Sequence, residues 1–328
     1  MKWIVLFLII LSTFSSAAQD CSKEVLRQKK GAWKAGVLGS VDNVTPGDLA
    51  KEKALLGAIH KILTAGYSPT GCQVSYSTVY GKQLSAAKNW ISNPYHYAMY
   101  ILPFVCDQKS ADKSKFKAAI ASATNVNITA NVIFLLNNLY AANLPDDDFR
   151  GYLKLKQRPQ KKEAAWFMGE EIVGDYGSDS EIKEYSWLIT YNDTLPFLYL
   201  NRKEYLLIQK KRLEKSLRDN SGDKEYTNKF LNNINEYLKK PETDLCKDAV
   251  CKWNEEERFE SFAEEGARGS FIAVKPNLEY YHKKLPKSCP QFFTVVYTVS
   301  KGDPVFEDNI KAIKKAVDFT MLKNMLGK

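Results

Sequence analysis

A chain of 328 residues with 45% hydrophobic, 12% aromatic and 26% charged side chains can bury a large core and is too apolar for wholesale disorder. Its formal charge of +9 is spread along the sequence, which argues for ordinary solubility and against a nucleic-acid-binding surface.

Residues 1–18 have the layout of a secretory signal peptide. Lys2 gives a positive start, an apolar run begins at Trp3, and Ser16, Ala17 and Ala18 supply the small residues of a cleavage site. The apolar run is too short to span a bilayer, and no later segment is long enough either, so no transmembrane segment is expected after cleavage. The sequence therefore predicts a secreted or periplasmic protein. Six cysteines follow the leader: Cys21, Cys72, Cys106, Cys246, Cys251 and Cys289. In an oxidising compartment an even number implies disulfides. Sequence alone leaves fifteen pairings open; the favoured set joins Cys72 to Cys106, Cys246 to Cys251 and Cys21 to Cys289. The competing reading, a metal site from Cys246, Cys251, Cys289 and His282, has poor ligand spacing, and no metal or other cofactor is expected.

Thr45 can cap a helix that starts at Pro46, carries Leu49, Leu56, Ile59 and Leu63 on one face, and stops at Gly66. Runs at 73–80, 95–106 and 125–136, rich in Val, Ile, Tyr and Phe, read as strands. Residues 151–157 and 184–191 alternate, the latter with Tyr185, Trp187, Ile189 and Tyr191 on one face. Pro196 makes 195–200 an edge strand or a strand end. Asn201 with Glu204 resembles a capping box and opens a helical hairpin, which turns at Asn220-Ser221-Gly222 and ends before Pro241. The charged stretch 244–265 reads as a loop with a short helix. Strand character returns at 270–274 and 291–299, and 307–325 reads as a terminal helix. Taken together, the pattern predicts an α+β fold: an antiparallel or mixed sheet with an N-terminal helix, an inserted helical hairpin and a C-terminal helix. Residues 19–200 form the helix and β-rich region, 201–265 the hairpin and charged loop, and 266–328 complete the same domain.

Three groups of residues are candidate ligand contacts. Arg150, Lys154, Lys156, Arg158, Lys161 and Lys162 form a run with no acidic residue. On a strand, Lys154, Lys156 and Arg158 would share one face and could grip an anionic polymer; a solvated sheet face explains the same pattern. Trp90, Tyr95 and Tyr97, near a strand start, could form an aromatic platform for a glycan or peptide, or else pack in the core. Glu170-Glu171 and Glu255-Glu256-Glu257 offer carboxylates for hydrolysis only if folding sets them at the right separation. His60, His96 and His282 lack metal-binding spacing, and no nucleophile elbow, phosphate loop or dinucleotide fingerprint occurs. Asn43, Asn127 and Asn192 head Asn-x-Thr sequons.

The leader ending Ala17-Ala18-Gln19, the segments Leu195-Pro196-Phe197 and Asn201-Arg202-Lys203-Glu204-Tyr205-Leu206, and Lys275-Pro276-Asn277 with Tyr280-Tyr281 and Leu285-Pro286 resemble uncharacterised exported proteins of Bacteroidota. Asp193-Thr194-Leu195 is similar to the O-glycosylation pattern of those bacteria. The resemblance implies a periplasmic or extracellular setting and carries over no site residue. The leading expectation is a non-catalytic binding or envelope-associated module, with a glycan, a peptide or an envelope protein as partner. A carboxylate-dependent hydrolase and an anionic-polymer adhesin are the alternatives.

Overall fold

A computed structural model describes residues 21–36, 39–81, 92–112, 114–132, 139–142, 152–175, 181–219, 223–253 and 258–328. The leader at 1–18, Trp90, Arg150 and the glutamates at 255–257 lie outside the described residues. The fold is α+β, built in four layers: helices, a large sheet, a smaller sheet, and helices again.

The large sheet runs β1 (Ala32–Ala35), β2 (Cys72–Val79), β3 (Tyr95–Cys106), β5 (Asn125–Ala130), β14 (Phe293–Ser300), β10 (Glu181–Ile189), β9 (Ala165–Asp175) and β8 (Gln160–Lys162), with β4 (Phe116–Ala118) extending β3. Among the described strand pairs only β1–β2 is parallel; β14 sits between β5 and β10, so the last described strand closes the sheet's centre. The smaller, antiparallel sheet runs β11 (Phe197–Tyr199), β13 (Ser270–Pro276), β7 (Tyr152–Leu155) and β6 (Leu139–Ala142), with β12 (Val250–Lys252) beside β13. As Pro196 suggests, β11 lies at the sheet's edge.

Strand alternation assigns the layers. Phe293, Val295, Tyr297 and Val299 point from β14 to the outer helices α2 (Pro46–Gly66), α6 (Pro304–Ala316) and α7 (Phe319–Met325). Val296 points the other way and meets Leu153, Leu155, Ile272 and Val274 between the sheets. Tyr152, Phe271 and Ala273 face α3 (Arg202–Arg218) and α4 (Lys224–Tyr237) across the smaller sheet.

The helices begin where their caps dictate. Thr45 Oγ1 accepts from Asp48 N–H, and Pro46 occupies the first turn of α2. Asn201 Oδ1 accepts from Glu204 N–H at 2.8 Å, while Glu204 Oε2 accepts from Asn201 N–H at 3.2 Å, completing the capping box of α3. Replacing Asn201 by Ala should cost about 1 kcal/mol, read as a lower urea midpoint with an unchanged slope. At the chain's end the expected single helix is two, because Val317 leaves helical geometry and Asp318 caps α7 through the Thr320 and Met321 N–H groups. Apolar spacing continues through the break, so periodicity alone reads one helix. Sequence reading also passes over α1 (Lys23–Arg27), α5 (Glu242–Leu245) and the long strand β9.

The cysteines are rearranged relative to expectation. Cys21 pairs with Cys106, and Cys72, Cys246, Cys251 and Cys289 are thiols. The β2–β3 register sets Cys72 opposite Pro103, about 10 Å along the strand from Cys106, which is too far for a bridge. Cys246 is exposed at the end of α5, whereas Cys251 is buried under α3. Cys289 loses its expected partner to Cys106.

Candidate functional site

Among the described residues the expected ligand contacts do not assemble. β7 ends at Leu155, so Lys154, Lys156 and Arg158 share no strand face, and β7 is an interior strand rather than an edge. Lys154 is buried, its ammonium 4.6 Å from the Trp253 ring centroid and 5.3 Å from that of Phe271. Burial, with Arg212 nearby, lowers its pKa. Lys156 binds Glu171 at 2.6 Å. Arg158 binds Asp248 and Glu265 and covers the Tyr199 ring; hydrogen bonding to Glu265 holds its pKa up. Each of the three is therefore committed to internal partners. Tyr95 and Tyr97 are equally unavailable, at 1% and 0% exposure. Tyr95 OH donates to Ser288 C=O, and Tyr97 OH meets His60 Nδ1 at 2.8 Å. Tyr280 and Tyr281 are also buried.

Glu170 and Glu171 project to opposite faces of β9 and bind Lys183 and Lys156 respectively. Across the strand pair, Glu171 is opposite Glu184, but the Lys156 ammonium already holds Glu171. The best case for an acid–base pair is one that sequence reading missed, Asp48 and Glu52, one helical turn apart on α2. Glu52 has no exposed surface; Asn93 Nδ2 donates to its Oε1 at 2.8 Å, and its Oε2 has no hydrogen bond. Burial raises its pKa to about 7, helped by the Asp48 charge and only partly opposed by Asn93 and the Gly81 N–H. Asp48 shifts the other way: burial pushes it up, but contacts from Ser288 and Thr45 and the Lys51 charge outweigh this. Such divergence is the electrostatic pattern of acid and base partners. Around it runs a buried polar network. Asn131 Nδ2 donates to Asn93 C=O, Gln291 N–H to Asn131 Oδ1, and Gln291 Nε2 to Ser92 Oγ. The network ties the loops before β3 and β14 to the end of β5. Glu52 is sealed, however, so no substrate oxygen reaches it in this conformation.

The accessible chemistry lies elsewhere, on the helix-side face of the large sheet near its β8 edge. β10 directs Lys183, Tyr185 and Trp187 to this face, and β9 adds Phe167 opposite Trp187. Helices α6 and α7 cover it only in part. The Trp187 ring lies 4.9 Å from Phe167 and 5.1 Å from Phe319, between centroids, and all four aromatic rings of this strip, Tyr185 included, are half-buried. Beside them an open groove of about 460 Å³ is lined by Tyr185, Val299, Lys301, Glu307, Ile310, Lys311, Lys314 and Lys315. The lysines at 311, 314 and 315 share one side of α6, whose opposite side, Val305, Ile310 and Ile313, is buried against the sheet.

Most of the local carboxylates are spent. Lys183 takes Glu170 and Glu181, and Lys301 takes Glu307 at 3.6 Å. Lys314 instead lays its ammonium 4.0 Å from the Tyr185 ring centroid and 5.2 Å from that of Tyr297. Desolvation there, reinforced by Lys301, lowers its pKa. Lys162 reaches from β8 over Phe167 at 4.4 Å. The result is a strip of aromatic rings overlaid by cations, a surface that combines ring area with positive charge. The alternation of Tyr185 and Trp187 and the spacing of Lys311, Lys314 and Lys315 are visible in the sequence, but only the fold brings them together. No helix among the described residues is long and apolar enough to cross a membrane. No family model, curated protein or solved structure matches this chain.

Proposed function

We propose that the protein is an exported, non-catalytic binding module whose ligand is a carbohydrate held against the face of β9 and β10. The observation carrying this reading is the half-buried strip of Phe167, Tyr185, Trp187 and Phe319, large rings left partly open although the sheet's other end is covered by α2. Rings so placed offer apolar area with little rotamer entropy to lose on binding. Export is supported by the leader-like residues 1–18 and by the Cys21–Cys106 disulfide, a bond that an oxidising compartment preserves. Among the described residues the hydrolase alternative draws support from Asp48 and Glu52, and the burial of Glu52 weighs against it.

Calorimetric titration with a panel of oligosaccharides tests the reading. Trp187→Ala should weaken the best ligand about tenfold, the equivalent of about 1.4 kcal/mol, as expected for loss of an aromatic platform. Because Trp187 also packs on Phe319, Tyr185→Ala serves as the second variant, with circular dichroism confirming the fold. Binding that survives both substitutions unchanged overturns the assignment to this face.

A further inference from the structure

The groove beside the aromatic strip says which carbohydrates the face would accept. Resting on the carbohydrate-binding reading above, we infer that the ligand is an acidic polysaccharide, bearing uronate or sulfate groups, whose charges meet Lys311, Lys314 and Lys315 on α6 and Lys162 on β8.

Three observations converge. The first is a local charge imbalance: among the described residues, none of these four lysines has a carboxylate within 4 Å, whereas most other cations of this face are paired. Lysines in the last turn of a helix are expected from the helix dipole, and that alone would explain the placement of Lys314 and Lys315 at the end of α6. It does not explain the second observation. The Lys314 ammonium is folded down onto Tyr185 and Tyr297, where burial and the Lys301 charge disfavour its charged form. The Glu170 charge offsets that penalty only in part, and an anion in the groove offsets more of it. Third, two of the cations lie over the rings, Lys314 over Tyr185 and Lys162 over Phe167. Tyr185 floors the groove, Trp187 lies about 7 Å further along β10, and Lys162 closes the far end over Phe167. A polymer lying along this line brings its acidic substituents to these lysines, and each ammonium drawn off a ring onto an acidic group uncovers that ring for a sugar. An acidic peptide matches the charge but not the run of flat ring faces, which favours the sugar.

The test uses the purified protein with four probes at low salt: polygalacturonate, heparin, neutral dextran and poly-L-glutamate. We expect polygalacturonate or heparin to bind, dextran to bind far more weakly, and raised salt to weaken the acidic ligand because the lysines are exposed. The double variant Lys311→Gln/Lys315→Gln should reduce acidic-glycan affinity on the order of fivefold to tenfold, two solvent-exposed ion pairs being lost. Neither lysine packs in the core, so the variant should keep the parent's urea midpoint. Dextran binding as tightly as the acidic polymers, with the double variant indifferent, overturns the acidic-ligand inference and leaves the carbohydrate reading standing. Poly-L-glutamate binding better than either acidic polysaccharide overturns it in favour of an acidic protein partner. Failure of every polysaccharide to bind sinks both readings together.

Discussion

Replacing Glu52 by Gln should shift the stability gap between variant and parent by about 3 kcal/mol in the variant's favour between about pH 4 and about pH 8. The argument starts from burial. Glu52 has no exposed surface, no cation pairs with it among the described residues, and Asp48 adds a like charge from the preceding turn. Tyr95 faces it from β3 and Asn93 from the loop before that strand. Its folded pKa, about 7, therefore stands above the ordinary 4.5. Between those values the native state holds a proton that the unfolded chain has released. Raising pH through that window thus favours unfolding, and the loss is complete once pH exceeds the folded value. Gln is neutral throughout and escapes the penalty. Its amide leaves a donor unpaired where Oε2 now stands alone, which lowers the variant at every pH without altering the slope. Urea titrations at several pH values separate the two effects. Parallel curves for parent and variant from about pH 5 to about pH 8 would show that Glu52 is already ionised in the native protein.

The local grammar of this chain is readable; the cross-chain encounters are not. Thr45-Pro46 and the Asn201–Glu204 pair announce helices because caps satisfy backbone groups within four residues of themselves. β3 is legible as a run of Tyr, Ile, Phe and Val, and β10 through its alternation. β9 escapes because Gly169, Glu170, Glu171 and Gly174 interrupt its apolar run, and the shifts in its register with β10 allow such residues inside a strand. The site is harder still. Lys154 looks like a solvent-facing cation in an alternating segment, yet the second helical layer turns its side of β7 into an interior. Conversely, Lys311, Lys314 and Lys315 look like an ordinary wet helix face until Tyr185, more than a hundred residues earlier, is placed beneath them. Glu52 is the same lesson in reverse. In the sequence it is one of several charges on a helix, and only the packing of α2 over the loops before β3 and β14 removes its water.

Removing the Cys21–Cys106 disulfide should destabilise the protein by about 3 kcal/mol, measured as the difference in urea unfolding between the parent and Cys21→Ala/Cys106→Ala. The bond closes a loop of 85 positions, and a loop that long withdraws considerable freedom from the unfolded chain. What it holds is a poorly anchored corner. α1 buries only Leu26, the β3–β4 hairpin exposes Val105 and Phe116, and the short parallel strand β1 is the outermost of its sheet. Gly31 packs so tightly against Cys72 C=O and Pro69 that a side chain there would clash, so the segment between Cys21 and β1 has a defined path to follow once anchored. The effect has a ceiling, because this N-terminal segment can detach while the layers beneath stay folded. Detachment would leave the urea midpoint near the parent's and show itself as faster hydrogen exchange confined to residues 21–36. Peptide mapping without reduction supplies the prior check: a linked peptide pair containing Cys21 and Cys106, with Cys72 and Cys251 open to alkylation only after unfolding. A Cys72–Cys106 link instead would require the β2–β3 register to slip by three residues, which would break the Tyr97–His60 contact and the face alternation of both strands.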